Sequence, residues 1–531
     1  MNRSMSRAPA RDRAGPANPA ACAVRGRLGV VLVLVSLLIG ACTAPDPEPV
    51  DAPLRLALIS PPRNLDPRLA TDAASERVNR LLYRRLIEFD ERSLPVPSLA
   101  SWEALTPTHY RFTLGEEGRV FSDGTRLTAA DVVATYRSIL DPASLSPHRA
   151  TLSLIASVQS EAPEQIDFHL DAPDPLFPAY LGIGILPAAR IEAGHGFARA
   201  PIGSGPFRLI DWPEPARLRL ERRRDGQPFE LIGVRDPNVR VMKLLRGEVD
   251  MLQNDLSPEL IGYLRRRDEV RVERRDGVNY SYLGFNLEDP STGRNEVRQA
   301  IAAAIDRDAI LAYLFQGGAR PAAGLFPPTH WAGADFEVPP HDPAGAQAWL
   351  ARIGHGPENP LRLIYKTSSD PFRLRLAAVI QAQLAAVGID LEIRSYDWGT
   401  FFGDVQAGRF QLYGLTWVGL RTPDIFRYAF HSAATPPDGA NRGRYRNDQV
   451  DRLIDTARQE PDLEIQAELY RQVQRQILRD LPYIPLWYED QVFVARREVE
   501  GYRLAADGNY DGLERVARTA PIAARTIASR D

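Results

Sequence analysis

The chain has 531 residues, 44% hydrophobic and 25% charged, a globular usage that excludes a disordered tail and exceeds what one core holds, so two or three packed units are predicted. The formal net charge is −3; residues 1–41 carry six arginines against the single acid Asp12, a surplus of five that leaves the remainder at −8, which argues against nucleic acid as a partner. The two cysteines, Cys22 and Cys42, both lie near the N-terminus, leaving none further on for a disulfide, a thiolate nucleophile or a zinc cluster.

Taken in chain order, the first element is the apolar run LGVVLVLVSLLI, residues 28–39, preceded by Arg25 and Arg27. It is too short to span a bilayer as a stable helix and right for a signal-peptide core, so residues 1–41 are expected to be removed. Gly40 and Ala41 before Cys42 resemble the lipobox of bacterial lipoproteins, in which the cysteine is lipidated and becomes the first mature residue. The Pro-rich stretch to residue 53 then reads as an extended tether, and the lipid anchors the protein without a transmembrane helix. Ordinary cleavage beside an incidental cysteine is the alternative.

From Leu54, LRLALIS alternates as a strand and ends in the turn PPRNLDP, and SERVNRLLYRRLIEF has helical spacing. HYRFTL, residues 109–114, is a period-two strand; after the turn FSDGTRL, Thr128 caps the helix TAADVVATYRSIL with Asp131 in its first turn. Helices are predicted over 295–315, ended by Gly317 and Gly318, and over 371–388, ended by Gly388, the latter feeding the strand IDLEIRSYDW. A further helix, DLEIQAELYRQVQRQILRD, precedes the strand-like YIPLWY and QVFVARR, and helix feeding strand predicts a parallel α/β sheet. The arginine runs at 222–224 and 265–267 read as solvated faces.

No GxSxG, HExxH or GxxxxGK[ST] occurs, and the histidines, among them His109, His169, His341 and His431, show no i, i+4 pairing or carboxylate cluster. No catalytic or metal-binding residue and no cofactor is therefore assigned, and an extracytoplasmic hydrolase fares badly.

Four segments in order resemble the family 5 solute-binding proteins of ABC importers, which include oligopeptide- and dipeptide-binding proteins. They are residues 97–142, with Phe121, Asp123, Gly124, Thr125, Leu127, Thr128, Ala129, Asp131 and Val132 matching FxDGTxLTAxDV; PIGSGPFRLIDW, 201–212; 244–310; and GRYRNDQVDRLIDTA, 443–457. Gly124 suits a tight turn, while Gly203 and Gly205 let the chain bend back before a strand.

The resemblance implies a two-lobed α/β fold of the type II periplasmic-binding-protein kind with an extra domain inserted in the first lobe, closing over its ligand by a hinge. On that template residues 54–87, 200–285 and 490–531 form the first lobe, 88–199 the extra domain and 286–489 the second lobe. It implies a monomeric periplasmic protein, lipid-anchored at Cys42, that captures short peptides or peptide-like solutes and delivers them to ABC permease subunits in the inner membrane. A metal chelate, haem or another anionic solute on the same fold is the alternative. Thr43 after the cysteine fits outer-membrane anchoring in a Gram-negative lipoprotein.

In peptide-binding members two tryptophans wall the pocket and an aspartate pairs with the ligand's ammonium. Here Trp398 and Trp417 match the tryptophans, with Val418 beside the second, and Leu420 stands at the aspartate position. An ammonium buried there without a counter-charge costs several kcal/mol, while the adjacent Arg421 suits a carboxylate or phosphate. Asp424, close by, is an alternative source of the missing charge. Pro62 and Asn64 match a segment that reaches the cleft in relatives, although PPRNLDP is also simply a turn. Both tryptophans also fit a plain core role.

Overall fold

In the computed structural model, which describes residues 52–519, the alternating LRLAL forms the strand Leu54–Leu58. The leader, Cys42 and the tether up to residue 51 lie outside the described residues. Leu54–Leu58 runs parallel to Pro228–Gly233 on one side and to Met251–Gln253 on the other, and Arg217–Arg222 and Phe207–Glu214 continue the first side antiparallel. Met251–Gln253 pairs with Tyr483–Arg496, which lies antiparallel to Val270–Phe285 along most of its length. Beyond them, Leu412–Trp417 pairs with Val270–Phe285, and Leu361–Ser368 and Ile389–Tyr396 follow in parallel, making one mixed sheet of eleven strands among the described residues.

Two long strands therefore join the two ends of this sheet. Along Tyr483–Arg496 the side chains alternate between cores: Phe493 and Ala495 enter one apolar cluster and Val492 and Val494 another, as period-two geometry requires. Toward its start, Ile484, Leu486 and Trp487 pack with Leu283 and Ile301, while Tyr483 and Tyr488 enter a fourth cluster with Phe426 and Tyr470. The pairing slips between Arg275 and Asn279. Gly277 sits in that slip because a Cβ there would lie 2.1 Å from the Glu489 carbonyl oxygen.

A second, antiparallel sheet of Ala100–Thr106, His109–Leu114, Gln165–Leu170 and Ile155–Ala162 has its own core of Phe112, Tyr136, Phe168 and Phe177. The helix Ala129–Leu140 covers it, and the Asp131 carboxylate accepts from the Thr128 backbone N–H at 2.7 Å, closing the predicted cap.

Several elements depart from their sequence pattern. The helix predicted through Phe89 ends at Leu82, and the chain continues extended through Tyr83 into the strand Ile87–Phe89. Gly203 and Gly205 press against that helix end, where a Cβ would stand 2.1 Å from the Leu82 and 2.4 Å from the Leu81 carbonyl oxygen; close approach, more than a bend, is what these glycines serve. The helix predicted over 295–315 is two, Asn295–Ala304 and Arg307–Tyr313, because Asp306 caps the second by accepting from the Ala309 N–H. The two strands predicted after 482 are one. Arg222 is buried, not solvated: it pairs with Asp225 at 2.8 Å and donates to the Leu513, Glu514 and Val516 carbonyls, whereas 265–267 are exposed. Among the described residues no helix is long and apolar enough to cross a membrane.

Candidate functional site

A cavity of about 590 Å³ opens where four stretches of chain converge: 80–93, from the last turn of the first helix onward; Arg275 and Val278 at the slip in the long strand; Leu420 and Arg421; and the C-terminal stretch 503–515. Its size falls within the range of small-ligand sites. Two other hollows of about 500 and 540 Å³ each draw on fewer stretches of chain, at Arg137–Val158 and at His195–Trp212.

The local fold presents Leu420 and Arg421 for a readable reason. The strand Leu412–Trp417 ends, Gly419 takes a left-handed φ of +66°, and its N–H is held by the Asn279 side-chain oxygen at 3.0 Å. Leu420 then buries itself among Tyr280, Phe426 and their neighbours. The Arg421 carbonyl is fixed by His330, whose Nε2–H donates to it at 2.7 Å while Nδ1 accepts from the Ala332 N–H at 3.1 Å. Burial pushes this imidazole down from 6.5 to about 4, so it is neutral at physiological pH.

Both signs of charge line the cavity. Arg80 bridges Glu88 at 3.1 Å and Asp511 at 2.5 Å, Arg85 pairs with the same glutamate, and Arg275 reaches Glu91 at 3.4 Å. The Arg421 guanidinium pairs with Asp507 and lies 5.1 Å from the centre of the Phe89 ring. Burial, then repulsion from Arg80 and Arg85, lowers its pKa to about 9, so the cation is held at a disadvantage. Asp511, despite burial, is held below the usual carboxylate range by Arg80. Arg84, Arg503 and Arg515 also line the cavity and have no carboxylate oxygen within 4.0 Å among the described residues.

Leu420 and Arg421 are thus brought to the cavity, and the other residues singled out in the sequence are not among its lining. Trp417 is half-buried at the strand end, its ring 6.4 Å from Tyr282 and nearly parallel to it. Trp398 and Val418 are 60% and 56% exposed, the former stacked on Phe402. Asp424 opens the helix Asp424–Phe430 and accepts from the Thr422 hydroxyl; burial pushes its carboxyl up, and its charged neighbours are Arg458 and Asp174. Pro62 is buried, and the Asn64 side chain accepts from the Asp66 N–H at 2.9 Å, the turn that its sequence suggested. Sequence reasoning missed Arg80, Arg85, Glu88, Asp507 and Asp511. The first three stood inside an apparent helix, and the last two in a turn-rich stretch, ADGNYDG, without periodicity.

The family model for the middle portion of bacterial extracellular solute-binding proteins, family 5, matches residues 94–436. The chain belongs to that family. It is a binding protein of ABC importers and not an enzyme, and its fold is the α/β type II periplasmic-binding-protein fold. Among family 5 relatives, the "Probable di/tripeptide-binding protein 5" of Pseudomonas aeruginosa is 30% identical over 494 residues, covering 85% of this chain and 91% of that one. The dipeptide-binding protein of Escherichia coli is 26% identical over 486 residues, covering 83% and 90%. Of solved structures, the substrate-binding protein CtaP of Listeria monocytogenes aligns with a TM-score of 0.80 at 22% identity, covering 88% of this chain and 99% of that chain. NikZ of Campylobacter jejuni, in complex with Ni(L-His), aligns with a TM-score of 0.77 at 22% identity over 89% and 100%. At these identities the two structures speak to the fold alone.

Proposed function

We propose that this family 5 protein captures short peptides or peptide-like solutes in the cavity at Leu420 and Arg421 and delivers them to the permease of an ABC importer. The observation that carries the reading is the peptide-sized space of about 590 Å³ lined by both signs of charge. A zwitterion has a carboxylate for Arg84, Arg503 or Arg515 and an ammonium for Asp507, which would exchange its bond to Arg421 for one to the ligand. The lineage agrees: the Pseudomonas and Escherichia relatives are named for di/tripeptide and dipeptide binding.

In this reading residues 54–87, 200–285 and 490–519 form one lobe, 88–199 an inserted domain and 286–489 the other lobe. The slip between Arg275 and Asn279 serves as the hinge, since a break in pairing is where two joined strands bend most easily. Ligand closes the lobes only because it binds the closed form more tightly. Signal-peptide removal, lipidation at Cys42, life in the periplasm as a monomer and the anchoring membrane belong to the same proposal.

A second reading, a carrier of a metal chelate or another anionic solute, is favoured by the three cavity arginines that have no carboxylate partner among the described residues. Among the described residues no group of three or more His, Cys, Asp or Glu could hold a metal ion, so the chelator would bring its own ligands.

Native mass spectrometry of the mature protein, purified without refolding, decides between them. A ladder of masses fragmenting as short peptides is expected. One discrete non-peptide mass, above all an anion or chelate, would overturn the peptide reading.

A further inference from the structure

Buried guanidinium groups in this protein are tied to acceptors. Arg298 donates to the Thr292 and Asp480 carbonyls, Arg307 to those of Ala302 and Pro485, and Arg240 to that of Val234. Arg442 differs. It is 8% exposed, yet it has no carboxylate within 4.0 Å among the described residues, and its one side-chain hydrogen bond is a 3.5 Å contact to the Tyr282 hydroxyl. Its guanidinium instead lies 5.0 Å from the centre of the Trp417 ring and 5.3 Å from that of Phe402.

Phe402 in turn stacks on Trp398 at 5.4 Å, so Arg442 touches one of the two tryptophans that the sequence marked as pocket walls and the ring stacked on the other. The groups acting electrostatically on it are phenols, chiefly Tyr282, Tyr483 and Tyr413. The Trp417 Nε1–H is buried there without a hydrogen-bond partner among the described residues. Phenol oxygens can accept from the guanidinium, but among the described residues none of the groups beside it carries a negative charge. Ring faces stabilise a cation but accept no strong hydrogen bond, and desolvating an unpaired guanidinium is costly. A guanidinium is a planar fork of N–H donors, matched to a planar, bidentate acceptor such as a carboxylate.

We infer that Arg442, held between Trp417 and Phe402, is a specificity subsite for a ligand carboxylate, selecting peptides with an acidic side chain. The inference rests on the peptide-binding reading above and places the acidic side chain beyond the residues that line the cavity at Leu420 and Arg421.

Titration calorimetry on the full mature chain tests it, with Ala-Glu, Ala-Gln and free glutarate as probes and wild type, Arg442→Gln and Arg442→Lys as proteins. Wild type is expected to bind Ala-Glu at least tenfold tighter than Ala-Gln, with that ratio falling to within twofold in Arg442→Gln and partly kept in Arg442→Lys. Equal wild-type affinities, or a ratio unchanged in Arg442→Gln, overturn the subsite and leave the peptide reading standing. Glutarate binding that depends on Arg442 without dipeptide binding supports the carboxylate subsite and overturns the peptide reading. No binding of any probe overturns both. Loss of a cooperative thermal melt in both variants identifies Arg442 as a structural strut and overturns the subsite.

Discussion

His330 fastens the loop that carries Leu420 and Arg421, and its burial makes that fastening sensitive to acid. Its ring is stacked on Phe326 at 3.9 Å, donates to the Arg421 carbonyl and accepts from the Ala332 N–H, so a second proton on Nδ1 breaks the bond to Ala332 and charges a buried ring. The folded pKa of about 4 lies below the unfolded 6.5. For a base depressed in this way the unfolded state binds more protons, so the contribution is fully present above pH 6.5 and is lost as pH falls toward 4. A gap of about 2.5 pH units at about 1.4 kcal/mol each amounts to about 3 kcal/mol. Glu76, pushed up to about 7 mainly by burial, acts with the opposite sign over an overlapping window, so wild type alone is a poor readout. The perturbation is His330→Gln, which keeps a donor and an acceptor and does not titrate. Urea unfolding of both proteins at intervals from pH 7 to pH 4 cancels every shared group. Wild type should lose about 3 kcal/mol relative to the variant across that range. Parallel curves, with the difference constant within about 1 kcal/mol, would refute the reasoning.

Arg421 and Asp507 are coupled across the cavity, so removing either alone strands a charge; Arg421→Ala and Asp507→Ala should each cost about 1–3 kcal/mol and the double variant clearly less than their sum, as a double-mutant cycle in urea would register. Trp417→Ala, at a half-buried ring resting on Tyr282 and beside the Arg442 guanidinium, should reduce stability by about 1–2 kcal/mol and, through Arg442, affinity for Ala-Glu by about tenfold or more. A loss above about 4 kcal/mol with affinity unchanged would make Trp417 plain core. Gly203→Ala should destabilise by about 2 kcal/mol or more, because its new methyl meets the Leu82 carbonyl at 2.1 Å, whereas Gly196→Ala, facing open space at an ordinary φ, should stay near neutral; paired thermal melts compare them.

The candidate site was legible only in part. Leu420 and Arg421 could be marked because they interrupt a recognisable pattern at a strand end. Arg80, Arg85 and Glu88 could not: the helical spacing runs on through YRRLIEF, whereas the helix stops at Leu82, where Gly203 and Gly205 pack closely, leaving Arg80 in its last turn and Arg85 and Glu88 beyond it. Arg442 gave no signal, since a guanidinium in GANRGRY looks like any solvated charge until Trp417 and Phe402 are seen beside it.

The sequence by itself determined what depends on neighbours along the chain: the Thr128 cap, the alternation of Leu54–Leu58, the helix Pro371–Ala385 feeding Ile389–Tyr396, and the family to which these motifs belong. Only the tertiary structure decided which charges share the cavity. Arg421 and Asp507 are far apart in the chain, and whether each is solvated, paired or stranded depends on burial and on partners that local spacing does not encode. The same reason hid the unity of Tyr483–Arg496, whose successive residues alternate between separate cores and form one strand because Val270–Phe285 runs beside them.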